Sequence, residues 1–207
     1  MTLSDPPLLL VIDRSQARTP LPDILAAAFA AGCRWASIRE KDLAHDDLLA
    51  LRDALIPVAA KWNAALTIHA ADPALAADLA GLHLPAGGDV EAARAALGRN
   101  KLLGLSVHGA GEAAAANPFL VDYIVAGPAF LTKSKPGYGP ALGLDGLRAI
   151  AAATSLPVIG IGGVTSDNVA TLRAAGVAGI AVMGGVMRAH DPGAEVQALI
   201  AAWGTAV

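Results

Sequence analysis

Short apolar runs alternate with longer, alanine-rich segments of helical period along the whole chain, and about eight such pairs can be counted. Alternation at this density predicts parallel strands joined by crossover helices. The runs place strands at 8–13, 35–40, 65–69, 81–84, 102–108, 123–127, 158–162 and 179–183. Eight strand–helix pairs predict an α/β fold of the (β/α)8 TIM-barrel class, and 207 residues is a little short of the roughly 250 common for it. No stretch rich in Ser, Gly or Pro is long enough to separate one domain from another, so residues 1–207 are expected to form a single domain.

Within the second helical segment, Leu48, Leu51, Leu55, Val58 and Trp62 recur at three- and four-residue steps, which predicts one apolar stripe facing the sheet and a kink at Pro57. The last segment opens with Asp191 before Pro192, a cap followed by proline in the first turn, and is expected to bury Val196, Leu199, Ile200 and Trp203. One long polar insertion, residues 132–143, follows the sixth strand. Prolines and glycines between Pro136 and Pro140 argue against regular structure there, and a loop of this length in a compact barrel is expected to be a functional lid carrying Thr132 and Lys135. The bland alternative is an insertion without a role.

Composition narrows the partners. The net charge of −3 and pI of about 5.9 leave no broad basic surface, so nucleic acid is not expected as a partner. Cys33 is the only cysteine, which excludes an intramolecular disulfide and favours the cytoplasm; following Gly32, it reads as a small buried apolar residue. Residues 1–7 lack the pattern of a secretory leader, and every apolar run breaks within the length of a membrane span. A soluble chain without a membrane partner is expected, and a homo-oligomer stays open.

Three features carry chemistry. Gly162-Gly163 after strand seven and Gly184-Gly185 after strand eight stand where barrels hold phosphate on backbone N–H groups, with Thr165 and Ser166 as candidate caps of the next helix. The alternative is that these glycines are merely tight strand exits. On strand two, Ser37, Arg39 and Lys41 share one face by the two-residue period and are expected to point into the barrel mouth, where the two cations could clamp a second anion. The other reading of residues 39–42 is a solvated surface string paired to itself. Ser106 and His108 alternate at the end of strand five, with His69 and His83 as neighbours able to move a proton near neutral pH, unless they are structural.

Residues 11–14 (Val-Ile-Asp-Arg), 38–41 (Ile-Arg-Glu-Lys), 81–84 (Gly-Leu-His-Leu), 105–108 (Leu-Ser-Val-His), 127–130 (Gly-Pro-Ala-Phe) with Thr132 and Lys135, and 161–163 (Ile-Gly-Gly) resemble, in order, the thiamine phosphate synthase/TenI family. The resemblance implies a barrel, a phosphorylated thiazole or pyrimidine ligand and a place in thiamine biosynthesis. In the synthases, Mg2+ assists loss of pyrophosphate from an aminopyrimidine methyl diphosphate, and the thiazole nitrogen captures the resulting cation. By resemblance, pyrophosphate falls to Arg39, Lys41, Ser106 and Lys135, and thiazole phosphate to Gly162, Gly163, Gly184 and Gly185.

Four departures bear on the reaction. Ser37 stands for a glutamine, His69-Ala70 for an Asn-Asp pair, residues 85–88 (Pro-Ala-Gly-Gly) for Gly-Gln-x-Asp, and Gly184 for a serine. The two missing aspartates are the family's metal ligands; Asp72 and Asp89 lie close by but read better as helix caps. The TenI-like branch aromatises a thiazole carboxylate phosphate by proton transfer without a metal, though its histidine after the sixth strand is Pro128 here. The expectation is therefore a TenI-like thiazole tautomerase with no cofactor, with His69 or His108 as proton carrier and Lys135 beside them. The alternatives are a synthase that recruits Asp72 and Asp89 to Mg2+, and a non-catalytic thiazole phosphate binder.

Overall fold

Every strand starts where its apolar run starts. The computed structural model describes residues 4–132 and 140–205, with strands β1 (Leu8–Ile12), β2 (Trp35–Ile38), β3 (Ala65–His69), β4 (Gly81–Leu84), β5 (Leu102–Val107), β6 (Tyr123–Ala126), β7 (Val158–Ile161) and β8 (Gly179–Val182). They pair in sequence order, all parallel, and β1 closes on β8 through Leu8 opposite Ile180, giving the expected eight-stranded barrel. Several strands stop one or two residues short of the expected ends, at Ile12, Ile38, Val107, Ala126, Ile161 and Val182. The residues left over, among them Arg39, His108, Gly127 and Gly162, leave the ladder to build the rim.

Helices α1 (Leu21–Ala30), α2 (His45–Lys61), α3 (Val90–Leu97), α4 (Ala110–Ala115), α5 (Gly143–Ala153), α6 (Val169–Ala174), α7 (Gly184–Met187) and α8 (Pro192–Thr205) cover the outside. Between β3 and β4 a single turn at Pro73–Ala76 replaces a full crossover helix. Period-two alternation splits the core in two. Leu8, Leu10 and Ile12 pack outward with helix residues such as Ile24, Leu25, Phe29 and Leu55. Leu9, Val11, Trp35, Tyr123, Val125, Ile159 and Ala181 fill the barrel itself.

The α2 stripe is present, but its most buried row is Arg52, Leu55 and Ala59, with Leu48, Leu51, Val58 and Trp62 half-buried beside it. Arg52 belongs there because its guanidinium meets Asp53 at 2.7 Å and the Leu75 carbonyl at 3.4 Å. The helix runs on through Pro57, which faces solvent. Asp191 caps α8 through the Ala194 N–H at 2.9 Å, and Val196 and Leu199 are buried while Ile200 and Trp203 are half-buried. Cys33 is fully buried, and burial pushes its thiol up to about 11.

Cations bind carbonyl oxygens at the amino end of the barrel. Lys101 Nζ donates to Ala76, Ala77 and Leu79. Arg94 donates to Leu120, Gly98 and Lys101 and pairs with Asp122 at 2.6 Å, while Asp122 accepts the Leu103 N–H. Among the described residues no helix is long and apolar enough to cross a membrane.

Candidate active site

A cavity of about 440 Å³ opens at the carboxyl ends of the strands and gathers most of the candidate residues into one place: Ser37, Arg39, His69, Ser106, His108, Thr132, Gly162, Gly163, Gly184 and Gly185 all line it. Lys41 is exposed and outside that lining, and Lys135 lies outside the described residues. Most of the loop expected to act as a lid, residues 133–139 of 132–143, also falls outside them.

On the β7–β8 side, Gly162 and Gly163 have φ of 103° and 65°, a region that side chains resist. A Cβ on Gly163 would stand 2.7 Å from the Leu131 carbonyl oxygen. The loop after β6 lies directly on this turn, with the Ala129 N–H donating to Ile161 O at 2.7 Å and the Phe130 N–H to Gly162 O at 3.0 Å. The pair is thus a tight strand exit, and it lines the cavity as well. Among the described residues the N–H groups of Gly163, Gly184 and Gly185 meet no hydrogen-bond acceptor. Unspent amides of this kind are what an anion requires.

Thr165 and Ser166 do not cap α6. Asn168 organises the turn instead, its Oδ1 accepting the Thr165 N–H at 2.9 Å and its Nδ2 donating to Gly163 O at 2.8 Å. Sequence reasoning missed Asn168, and also Arg188, which follows α7, lines the cavity and donates to Gln16 Oε1. The only signal for Asn168 was an amide just before Val169; for Arg188, a cation a few residues past a paired glycine.

Across the mouth, the Arg39 side chain is 12% exposed, with its guanidinium 3.7 Å from Asp13 Oδ2. Its neighbours in sequence are engaged elsewhere. Arg14 bridges the buried Glu40 carboxylate at 3.3 Å and Asp42 at 3.0 Å. Burial pushes Glu40 up against the pull of Arg14, and the Arg14 hydrogen bond pulls Asp42 down. The charged string is therefore paired to Arg14 rather than to itself, with Lys41 left in solvent.

The β3–β5 wall is polar and aromatic. His83 is buried, with Nε2 2.9 Å from Ser106 Oγ and Nδ1 3.3 Å from the Tyr123 hydroxyl. The His69 ring stands edge-on at 4.9 Å, and Tyr123 stacks on His83 at 5.5 Å. Burial drives His83 well below the ordinary histidine range, with His69 adding to the effect. His108, at the rim, has Nδ1 2.7 Å from Gly127 O, so Nδ1 carries the proton and Nε2 is the basic nitrogen of the neutral ring. Ser37, 2% exposed, has no hydrogen-bond partner for its hydroxyl among the described residues and lines the same cavity.

The Mg2+ implied by the resemblance does not fit this donor set. Asp72 accepts the Ala74 N–H and Asp89 the Ala92 N–H, each at 2.9 Å, as helix caps, and neither lines the cavity. No Asp or Glu is found among the described lining residues. Oxygen-rich ligation of a hard cation would need one.

The family model for thiamine monophosphate synthase matches residues 8–186. A thiamine-phosphate synthase of Roseiflexus sp. is 37% identical over 190 residues, spanning 90% of this chain and 80% of its own. The bifunctional ThiM/ThiE protein of Symbiobacterium thermophilum is 40% identical over 181 residues, spanning 86% of this chain but only 38% of that longer protein. The solved thiamine phosphate pyrophosphorylase from Pyrococcus furiosus superposes with a TM-score of 0.84 at 26% identity, over 97% of this chain and 96% of its own. Barrel, rim cavity and sequence agree: the chain belongs to the thiamine monophosphate synthase family.

Proposed function

We propose that the rim cavity binds a thiazole phosphate and that the chain works in thiamine biosynthesis, in the cytoplasm, joining that thiazole to an aminopyrimidine methyl diphosphate with release of diphosphate. The names of the relatives support this transferase reading over the tautomerisation that the sequence put first. The observation that carries it is the pair of glycine turns whose free amides share one cavity with Arg39 across the mouth. In this reading the amides of Gly163, Gly184 and Gly185 hold the thiazole phosphate. Arg39 and Ser106 hold the second anion, Arg39 through its planar fork. The apolar strand ends, Val11, Val125 and Ile161, keep water from the reacting centre.

One observation favours a second reaction on the same ligand. The cavity presents His69, His83 and His108 and no described carboxylate, a set suited to moving a proton rather than holding a metal diphosphate. His108 Nε2 is then the base that takes the proton in an aromatising tautomerisation, with His69 as the other candidate.

One pair of assays separates the readings. Diphosphate release from the two synthase substrates is expected, and its dependence on added Mg2+ is read by titrating EDTA. Absence of release, with accelerated aromatisation of the carboxythiazole phosphate tautomer that His108→Ala abolishes, would replace transferase by tautomerase. Binding of thiazole phosphate without turnover in either assay would leave a non-catalytic binder. No binding at all would end the proposal.

A further inference from the structure

We propose that Tyr123 and His83 are positioning residues that set the Ser106 hydroxyl as a fixed hydrogen-bond donor toward the cavity, so that the β5 side of the mouth receives an acceptor, a phosphate or carboxylate oxygen. The inference rests on reading the cavity as an anion site, and it deepens that reading by assigning the sense of each hydrogen bond behind the wall.

The arrangement is built into three strands. Gly104 of β5 gives up its side chain for it: a Cβ there would lie 2.2 Å from Tyr123 Cζ and 2.4 Å from His83 Nδ1. Tyr123 is fully buried, with Trp35 edge-on at 4.7 Å. A buried hydroxyl has to spend its proton. Thr67 Oγ1, a further polar atom near the phenol, already accepts the Trp35 Nε1–H at 3.4 Å and donates to Ala36 O at 3.2 Å. His83 Nδ1 at 3.3 Å, an imine nitrogen with its lone pair in the ring plane, is the stronger acceptor for the Tyr123 proton. Burial keeps His83 neutral, so it carries one ring proton. With Nδ1 accepting, that proton is on Nε2 and goes to Ser106 Oγ at 2.9 Å. Ser106 then accepts from behind, and its own proton points to whatever occupies the cavity.

The opposite sense is the poorer one on the same accounting. If Ser106 donated to Nε2, Nδ1–H would donate to the phenol oxygen, and the phenol proton would fall to Thr67 Oγ1, a weaker acceptor than an imidazole nitrogen and one that already accepts from Trp35 Nε1. Burial also raises the phenol above its ordinary range, so Tyr123 keeps its proton and the chain orients Ser106 without passing a proton along.

Two-bond 1H–15N correlation of the full chain with 15N-labelled histidine tests the sense directly. His83 is expected as the Nε2–H tautomer, without a protonation step at the pH of about 6.5 where an ordinary histidine titrates. In Tyr123→Phe its Nδ1 signal should move toward that of an unbonded imine nitrogen. A His83 protonated on Nδ1 overturns the proposal, and this reading needs no variant to fold. Calorimetric titration with inorganic diphosphate supplies the second arm. Ser106→Ala and His83→Leu should each weaken binding about ten-fold, the loss of one hydrogen bond to a charged group. The double variant should be no weaker than either, and His83→Gln, which can donate an amide N–H to Ser106, should recover most of the affinity. Full additivity of the two losses would overturn the proposal. Failure of thiazole phosphate to bind in the assays above sinks the proposed function alone, since the tautomer is read without ligand.

Discussion

His83 gives the molecule a residue-level pH signature. Its folded pKa lies well below that of the unfolded chain, so below the unfolded value, about 6.5, the unfolded state binds a proton that the native state refuses. Stability from this group is present above that pH and is lost as pH falls toward the folded value. Urea unfolding should show stability falling as pH drops through about 6.5, with a slope that steepens toward a ceiling of about 1.4 kcal/mol per pH unit and that His83→Gln reduces; an unchanged profile in the variant would place the titration elsewhere. The sequence showed His83 only as a histidine beside Ser106. Its partner Tyr123 was hidden, because about forty positions separate residues that only barrel closure stacks. Ser37 was easier to place, since the two-residue period within β2 turns it to the mouth; Arg39, one residue past the strand, keeps that direction, whereas Lys41, three residues past it, does not.

At the scale of elements, strand starts were legible because an apolar run begins where burial begins. The turns above them were not. Thr165 and Ser166 looked like caps by composition, yet the turn is closed by Asn168, whose choice depends on where Gly163 O lies in space. The paired glycines likewise divide in a way spacing does not reveal. Gly163 is demanded by a positive φ and by Leu131 O, so Gly163→Ala should destabilise by about 2 kcal/mol. A Cβ on the exposed Gly185 meets nothing nearer than Glu195 Oε1 at 3.8 Å, so Gly185→Ala should hold its unfolding midpoint while weakening thiazole phosphate binding. Equal stability losses in the two variants would show that both turns serve packing alone.

For the molecule as a whole, the rim with the cavity and the rim with the cation-bound carbonyls are at opposite ends of the strands. Arg94→Met leaves Asp122 without its guanidinium and should lower stability by about 3 kcal/mol. Diphosphate affinity, measured well below the unfolding transition, should stay within about two-fold of the parent's. A matching loss of affinity would mean that the two ends are coupled. Barrel class was readable from the chain because it rests on repeated local pattern, and the family because its short motifs stand in order from residue 11 to residue 163. The reaction was not, because it depends on whether Asp72 and Asp89 face the cavity, and both are spent on helix ends. The amino-end staples have one further consequence. Since Lys101 and Arg94 hold the frame from the end remote from the cavity, side chains around the mouth can be exchanged one by one without loosening the scaffold that carries them.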